Sequence, residues 1–163
     1  MADTIITDST DDIVLECLKH LNENGWCHRP SSEKTRDWVA RGGDLDCLKY
    51  LNGGGGCPRP FTCASAAIYG YIECLKYLHE NGCPCSAFTC SYAAGSGHLE
   101  CLKYLHANGC PCSEVTCDDA ATRGHLECLK YLHENGFPWK VDTCIYAAAY
   151  GHLECLKYCH ENG

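Results

Sequence analysis

Cysteine and histidine dominate the residues that could do chemistry here, with 17 and 9 copies in 163 positions. Cys83, Cys85 and Cys90 form a C-x-C-x4-C set, and Cys110, Cys112 and Cys117 repeat it. Thiolate and imidazole are the borderline-soft donors that zinc prefers, so a metal site is one chemistry the pattern allows. A thiol nucleophile activated by a histidine base is a second. At this cysteine density a disulfide framework is a third. Comparison within the chain weighs against the metal: Phe137 takes the place of Cys83 and Cys110, and Trp139 or Arg59 that of Cys85 and Cys112, and none of these side chains ligates zinc. The competing reading makes cysteine a small buried hydrophobe, its ordinary behaviour when unpaired. No metal and no cofactor are then expected.

Charge and composition narrow the classes further. Thirteen Lys plus Arg against 21 Asp plus Glu give a formal charge of -8, and no basic run is present of the kind that tracks phosphates, so nucleic acid is not an expected partner. Residues Met1 to Leu18 carry Asp3, Asp8, Asp11, Asp12 and Glu16 without a basic lead or a long apolar run, which argues against export by a signal peptide. No stretch reaches the roughly 18 to 20 apolar residues of a membrane span. The odd cysteine count leaves at least one thiol unpaired in a monomer, which favours a reducing, intracellular setting, cytoplasmic or nuclear.

The elements that position these side chains are repeated. The tripeptide Cys-Leu-Lys starts at Cys17, Cys47, Cys74, Cys101, Cys128 and Cys155, spaced 30 once and then 27 each time. Self-similarity at such a period denotes a stacked array. In the unit from Thr89 to Cys112, Thr89 is expected to cap a short helix with Cys90, Ala93 and Ala94 on its small face. Gly97 breaks it. A second helix starts at His98, with Leu99, Leu102 and Leu105 at helical spacing and Cys101 and Tyr104 widening the stripe. Glu100 and Lys103 form an exposed pair that recurs at Glu73/Lys76, Glu127/Lys130 and Glu154/Lys157. Asn108-Gly109 ends the helix and Pro111 prevents its continuation. His98, His125 and His152 are read as structural between units. His79, His106, His133 and His160, near the helix ends, are read as solvated.

The core Gly-His-Leu-Glu-Cys-Leu-Lys-Tyr-Leu-His, preceded by Ala-Ala-x-x, resembles the second half of an ankyrin repeat. The resemblance covers nearly the whole chain and is nearest to the short, Cys-rich repeats of about 27 residues found in giant viruses, amoebae and other protists. It implies an all-α helix-turn-helix solenoid: residues 1–31 hold an unpaired capping helix near Asp11 to Asn24, and residues 32–163 hold five helix pairs. The family period is about 33 residues, and the missing six fall before each first helix, so β-hairpin fingers should be shortened or absent. By the same resemblance Cys101, Cys90, Cys83 and Cys85 stand at core positions of the family pattern. The run Gly53 to Gly56 predicts a frayed helix end, and the first spacing adds a loop around Arg29 to Lys34.

If core positions repeat, partner information belongs at positions that do not. The second and third residues after each Thr vary (Ala64-Ser65, Ser91-Tyr92, Asp118-Asp119, Ile145-Tyr146), as do the two before the turn glycine (Ile68-Tyr69, Gly95-Ser96, Thr122-Arg123, Ala149-Tyr150). The loops ending at Phe61, Phe88, Val115 and Asp142 vary too. Tyr and Arg often carry interface energy, which selects Tyr69, Tyr92, Asp118, Asp119, Arg123 and Tyr150 as candidate partner-binding residues. In-phase repetition of Cys and His argues against one asymmetric catalytic centre, so a non-enzymatic protein scaffold is expected. The last unit, Thr143 to Gly163, stops in phase without a polar cap, so the array is either part of a longer one or self-associates head to tail. Which of the unrepeated cysteines, such as Cys27 and Cys159, lies at an exposed end is left open by the repeat.

Overall fold

Small residues and short leucine stripes decide which surfaces of each unit meet. The computed structural model describes residues 33–52, 60–137 and 139–163, besides the isolated positions 16 and 19. Among the described residues there are ten helices and no strand: α1 (Glu33–Gly42), α2 (Leu45–Asn52), α3 (Pro60–Tyr69), α4 (Ile72–Glu80), α5 (Ala87–Gly95), α6 (Leu99–Ala107), α7 (Glu114–Thr122), α8 (Leu126–Glu134), α9 (Val141–Ala149) and α10 (Leu153–Asn162). The capping helix expected at 11–24, the glycine run 53–56 and Cys27 lie outside the described residues. The loop expected around Arg29 to Lys34 does so up to Ser32, and Glu33 and Lys34 already belong to α1.

The odd-numbered helices pack in a row, α1 on α3 on α5 on α7 on α9, and each even-numbered helix packs on the odd one before it. Cys90, Ala93 and Ala94 are fully buried in α5, as are Leu102 and Leu105 in α6. Small side chains let the odd helices approach closely, and each buried leucine contributes about 1.5 to 3 kcal/mol. Translated along the chain, these positions form a continuous core from Val39 to Cys159. Cys159 lies inside, which answers for that residue the question of an exposed end. Cys83 to Ser86 cross irregularly from the end of α4 to α5, and no hairpin finger projects there.

Local bonds define each unit. Gly97 takes φ +77°, which lets the Gly97 N–H reach Ala94 O (3.1 Å) and the His98 N–H reach Ala93 O (2.9 Å), the paired bonds of a Schellman turn. Thr89 is not the N-cap but the third residue of α5. The Ser86 N–H donates to Thr89 Oγ1 at 3.2 Å, while the Thr89 N–H donates to Ser86 O at 2.9 Å. The same clasp joins Ser113 with Thr116 and Lys140 with Thr143. The Glu–Lys pairs form at 2.8 to 3.0 Å on the exposed side of α4, α6, α8 and α10.

Polar ladders then tie unit to unit. Asp37 accepts from the Thr62 hydroxyl, Ser91 Oγ lies 3.2 Å from Thr116 Oγ1, and Asp118 accepts from the Thr143 hydroxyl. His98 Nε2 donates to Ile68 O at 3.0 Å, and His152 Nε2 to Thr122 O at 3.0 Å. Burial holds the His125 imidazole below its ordinary pKa, against a bond to the Gly95 backbone that pulls the other way. Of the helix-end histidines His160 is exposed, in line with the expectation of solvation, whereas His79, His106 and His133 are half-buried beside aromatic side chains. His79 Nδ1 lies 3.3 Å from the Tyr104 hydroxyl, His106 Nδ1 lies 2.8 Å from that of Tyr131, and the His133 ring stacks on Trp139. Each meets the tyrosine 25 residues further on, Tyr158 in the case of His133, a partnership that appears once the units are stacked.

Candidate protein-binding face

Positions 61, 65 and 69 along α3 recur as 88, 92 and 96 along α5, 115, 119 and 123 along α7, and 142, 146 and 150 along α9. Four apart within a helix, they share one face, and in the row of odd helices they succeed one another from unit to unit. Buried cysteines and alanines occupy the opposite face, so this one is left for large side chains. Phe88 and Tyr150 are 69% and 62% exposed. Phe61, Tyr69, Tyr92, Val115 and Tyr146 are exposed as well, and Arg123 lies among them. Tyr69 also stacks on Tyr71, with ring centroids 6.5 Å apart. Ser65 is the exception, buried in its place in α3.

Five of the six residues selected from the sequence stand on this face: Tyr69, Tyr92, Asp119, Arg123 and Tyr150. Asp118 does not. It occupies the row 37, 91, 118, where side chains bond the next unit's threonine, and its carboxylate accepts from Thr143. Asp119, one residue on, is half-buried; its carboxyl is raised above the usual range by burial, with Arg123 and Ser91 pulling it down. Phe61, Phe88, Val115 and Tyr146, variable in sequence but not selected as anchors, are exposed too, and Trp38, not marked from the sequence, is 78% exposed in α1. For the first four the signal is a spacing of four or eight from the selected residues Tyr69, Tyr92, Arg123 and Tyr150. Arg41 adds a cation over the Phe61 ring at 5.5 Å.

The cysteines separate into two groups. Burial pushes the thiols of Cys74, Cys101 and Cys128 up to about 11 and that of Cys117 to about 12, so at neutral pH these are packing groups rather than nucleophiles. The Cys112 thiol is lowered, through a hydrogen bond with Cys90. The C-x-C-x4-C sets do not close on themselves. Instead Cys85 bonds to Cys110 in a disulfide linking successive loops, which corrects the reading of both as core residues alone. A ring nitrogen of His79 and the two sulfur atoms lie within 4.8 Å of one another. The physical reason is offset: stacking brings the third loop position of one unit beside the first loop position of the next, where a sequence aligned within units places no neighbour.

Helix pairs stacked in register around a small-residue core define a helical-repeat array. A family model described as ankyrin repeats (many copies) matches residues 63–106 and 117–158, more than half of the chain, and the chain belongs to the ankyrin-repeat family. Ankyrin-repeat domains are generally non-enzymatic binding modules and typically work through protein–protein interaction. No curated protein matches the chain. Among solved structures, the ankyrin repeat domain of human ASB11 is similar in fold, with a TM-score of 0.67 at 23% identity over 78% of this chain and 68% of that one. No helix among the described residues is long and apolar enough to cross a membrane.

Proposed function

We propose that this chain is an intracellular, non-enzymatic scaffold that docks a protein partner on the exposed face of its odd-numbered helices and the loops that precede them. The observation that carries this is the run of exposed aromatic side chains at Phe61, Tyr69, Phe88, Tyr92, Tyr146 and Tyr150. Large aromatic side chains left exposed at the same positions of successive units favour a docking surface, and Tyr with Arg is the composition of interface anchors. Asp119 and Arg123 break the run with opposite charges at α7, which would set register along a partner rather than supply most of the affinity. The double substitution Tyr92→Ala/Tyr150→Ala is expected to weaken a partner captured by the wild-type chain at least ~30-fold, as loss of about 2 kcal/mol at an anchor requires. Helical circular dichroism should be unchanged. Equal capture by both proteins would refute the assignment.

A second reading, head-to-tail self-association, rests on the last unit. Leu156 and Cys144 are only half-buried, whereas their counterparts Leu129 and Cys117 are fully covered. Leu153, Leu156, Cys144 and Cys159 line an open depression of about 660 Å³. Light scattering across a wide range of concentrations is expected to show mass growth if this surface takes up the first unit of another copy; a concentration-independent monomer rejects that reading and leaves the first intact.

A further inference from the structure

We propose that His79, Cys85 and Cys110 form a redox-gated site for one thiophilic divalent cation of the zinc class, bound when the two cysteines are reduced and expelled when they join. The three donors lie within 4.8 Å of one another and come from the end of α4 and from two successive loops. Two sulfurs and one imidazole are a ligand set that suits tetrahedral Zn²⁺, with water in the fourth place. Two of the donors are held by their surroundings. The Cys110 N–H bonds Leu105 O at 3.0 Å, fixing the start of its loop. The His79 ring is held by the Tyr104 hydroxyl at 3.3 Å and by an edge contact with the Tyr104 ring. An outer partner of this kind orients a ligating histidine.

The repeat supplies its own control. One unit further on, the same three places are held by His106, Cys112 and Phe137. The Phe137 ring packs against His106 with centroids 5.0 Å apart, on the same imidazole neighbour as Cys110 has one unit earlier. The site at His79 is therefore complete where its neighbour lacks one donor. A residue copied only to fill the core would have no reason to meet its two fellow ligands at a single interface. Cys85 and Cys110 lie in the loops that precede α5 and α7 and so border the proposed partner-binding surface, but zinc binding is read without any partner, so its outcome is distinguishable from that of the first proposal.

Gating follows from the sulfur chemistry. With hydrogen peroxide as oxidant, each zinc-bound thiolate gives up one electron and the S–S bond forms. The O–O bond breaks, and two protons are taken up to give two waters. The disulfide sulfurs no longer carry thiolate charge, and His79 alone does not retain the ion, so Zn²⁺ leaves.

Native mass spectrometry of the phosphine-reduced chain with one equivalent of zinc sulfate tests this. One zinc per chain is expected, with release on peroxide treatment accompanied by loss of two hydrogens. Cys85→Ser and His79→Ala should each weaken zinc binding at least ~10-fold, with the helical circular dichroism unchanged. With two equivalents of zinc sulfate, Phe137→Cys should carry two zinc ions by completing the neighbouring set while the wild type stays at one, a gain that misfolding cannot imitate. The proposal is overturned if the reduced chain retains no zinc, if Cys85→Ser binds it as tightly as the wild type, or if Phe137→Cys adds none.

Discussion

Gly97→Ala is expected to destabilise the array by about 1.5 to 3.5 kcal/mol, measured by urea unfolding followed at helical wavelengths. The left-handed backbone at φ +77° accounts for about 1 to 2 kcal/mol of this, because an L side chain crowds the following carbonyl there. The remainder comes from the next unit. A Cβ at Gly97 would sit 2.6 Å from His125 Nδ1, so the ring must move. Displacing it forfeits the bond to the Gly95 backbone, worth about 0.5 to 1.5 kcal/mol. Gly70 and Gly124 stand in the same relation to His98 and His152. Gly109 is the control: its φ is +74°, yet nothing lies within 4 Å of the added carbon, so Gly109→Ala should show the backbone cost alone. Equal losses at Gly97 and Gly109 would refute the role assigned to His125. This glycine sets the fit between units as much as the turn within one.

Reducing the Cys85–Cys110 bond in the presence of EDTA, which keeps metal from substituting for it, is expected to lower stability by about 3.5 kcal/mol. The bond closes a loop with a sequence separation of 25, and in the chain-entropy account a loop of that size restricts the unfolded ensemble by about this much. The effect should be local. Cys85 precedes α5 and Cys110 follows α6, so the bond encloses one repeat, and a stacked array couples mainly nearest neighbours. Hydrogen exchange should accelerate in α5 and α6 on reduction while α1 and α2 change little. Cys85→Ser should reproduce the loss. An unchanged urea midpoint, or acceleration spread evenly over all units, would show that the bond does not constrain the array.

The repeat was legible because its signals are local. Cys-Leu-Lys at a spacing of 27, the Leu99/Leu102/Leu105 stripe and the Asn-Gly endings identify helix pairs without reference to anything distant. Where the reading slipped, the error was one of register or of partner. Thr89 closes the first turn of α5 from its third position rather than from its cap, since the hydroxyl can accept the same kind of backbone bond from either place. His79 and His106 looked like solvated helix ends because the tyrosines they contact belong to the following unit. Asp118 and Asp119 looked equivalent, yet the roughly 100° between adjacent helical residues sends one to Thr143 and leaves the other on the exposed face. Phe61 and Phe88 count among the variable positions but not among the selected anchors, and Trp38 is not marked at all; whether such an aromatic side chain is covered is decided by the neighbouring helices.

The sequence by itself determined the helix pairs, their period, the small-residue core and the positions free to vary, because each depends on contacts within a few residues along the chain. The tertiary structure alone decided which variable positions share a face, which histidine meets which tyrosine or carbonyl, and that Cys85 meets Cys110. Those are contacts between units. Their geometry depends on how one helix pair is offset against the next, and a repeat read in register carries no record of that offset.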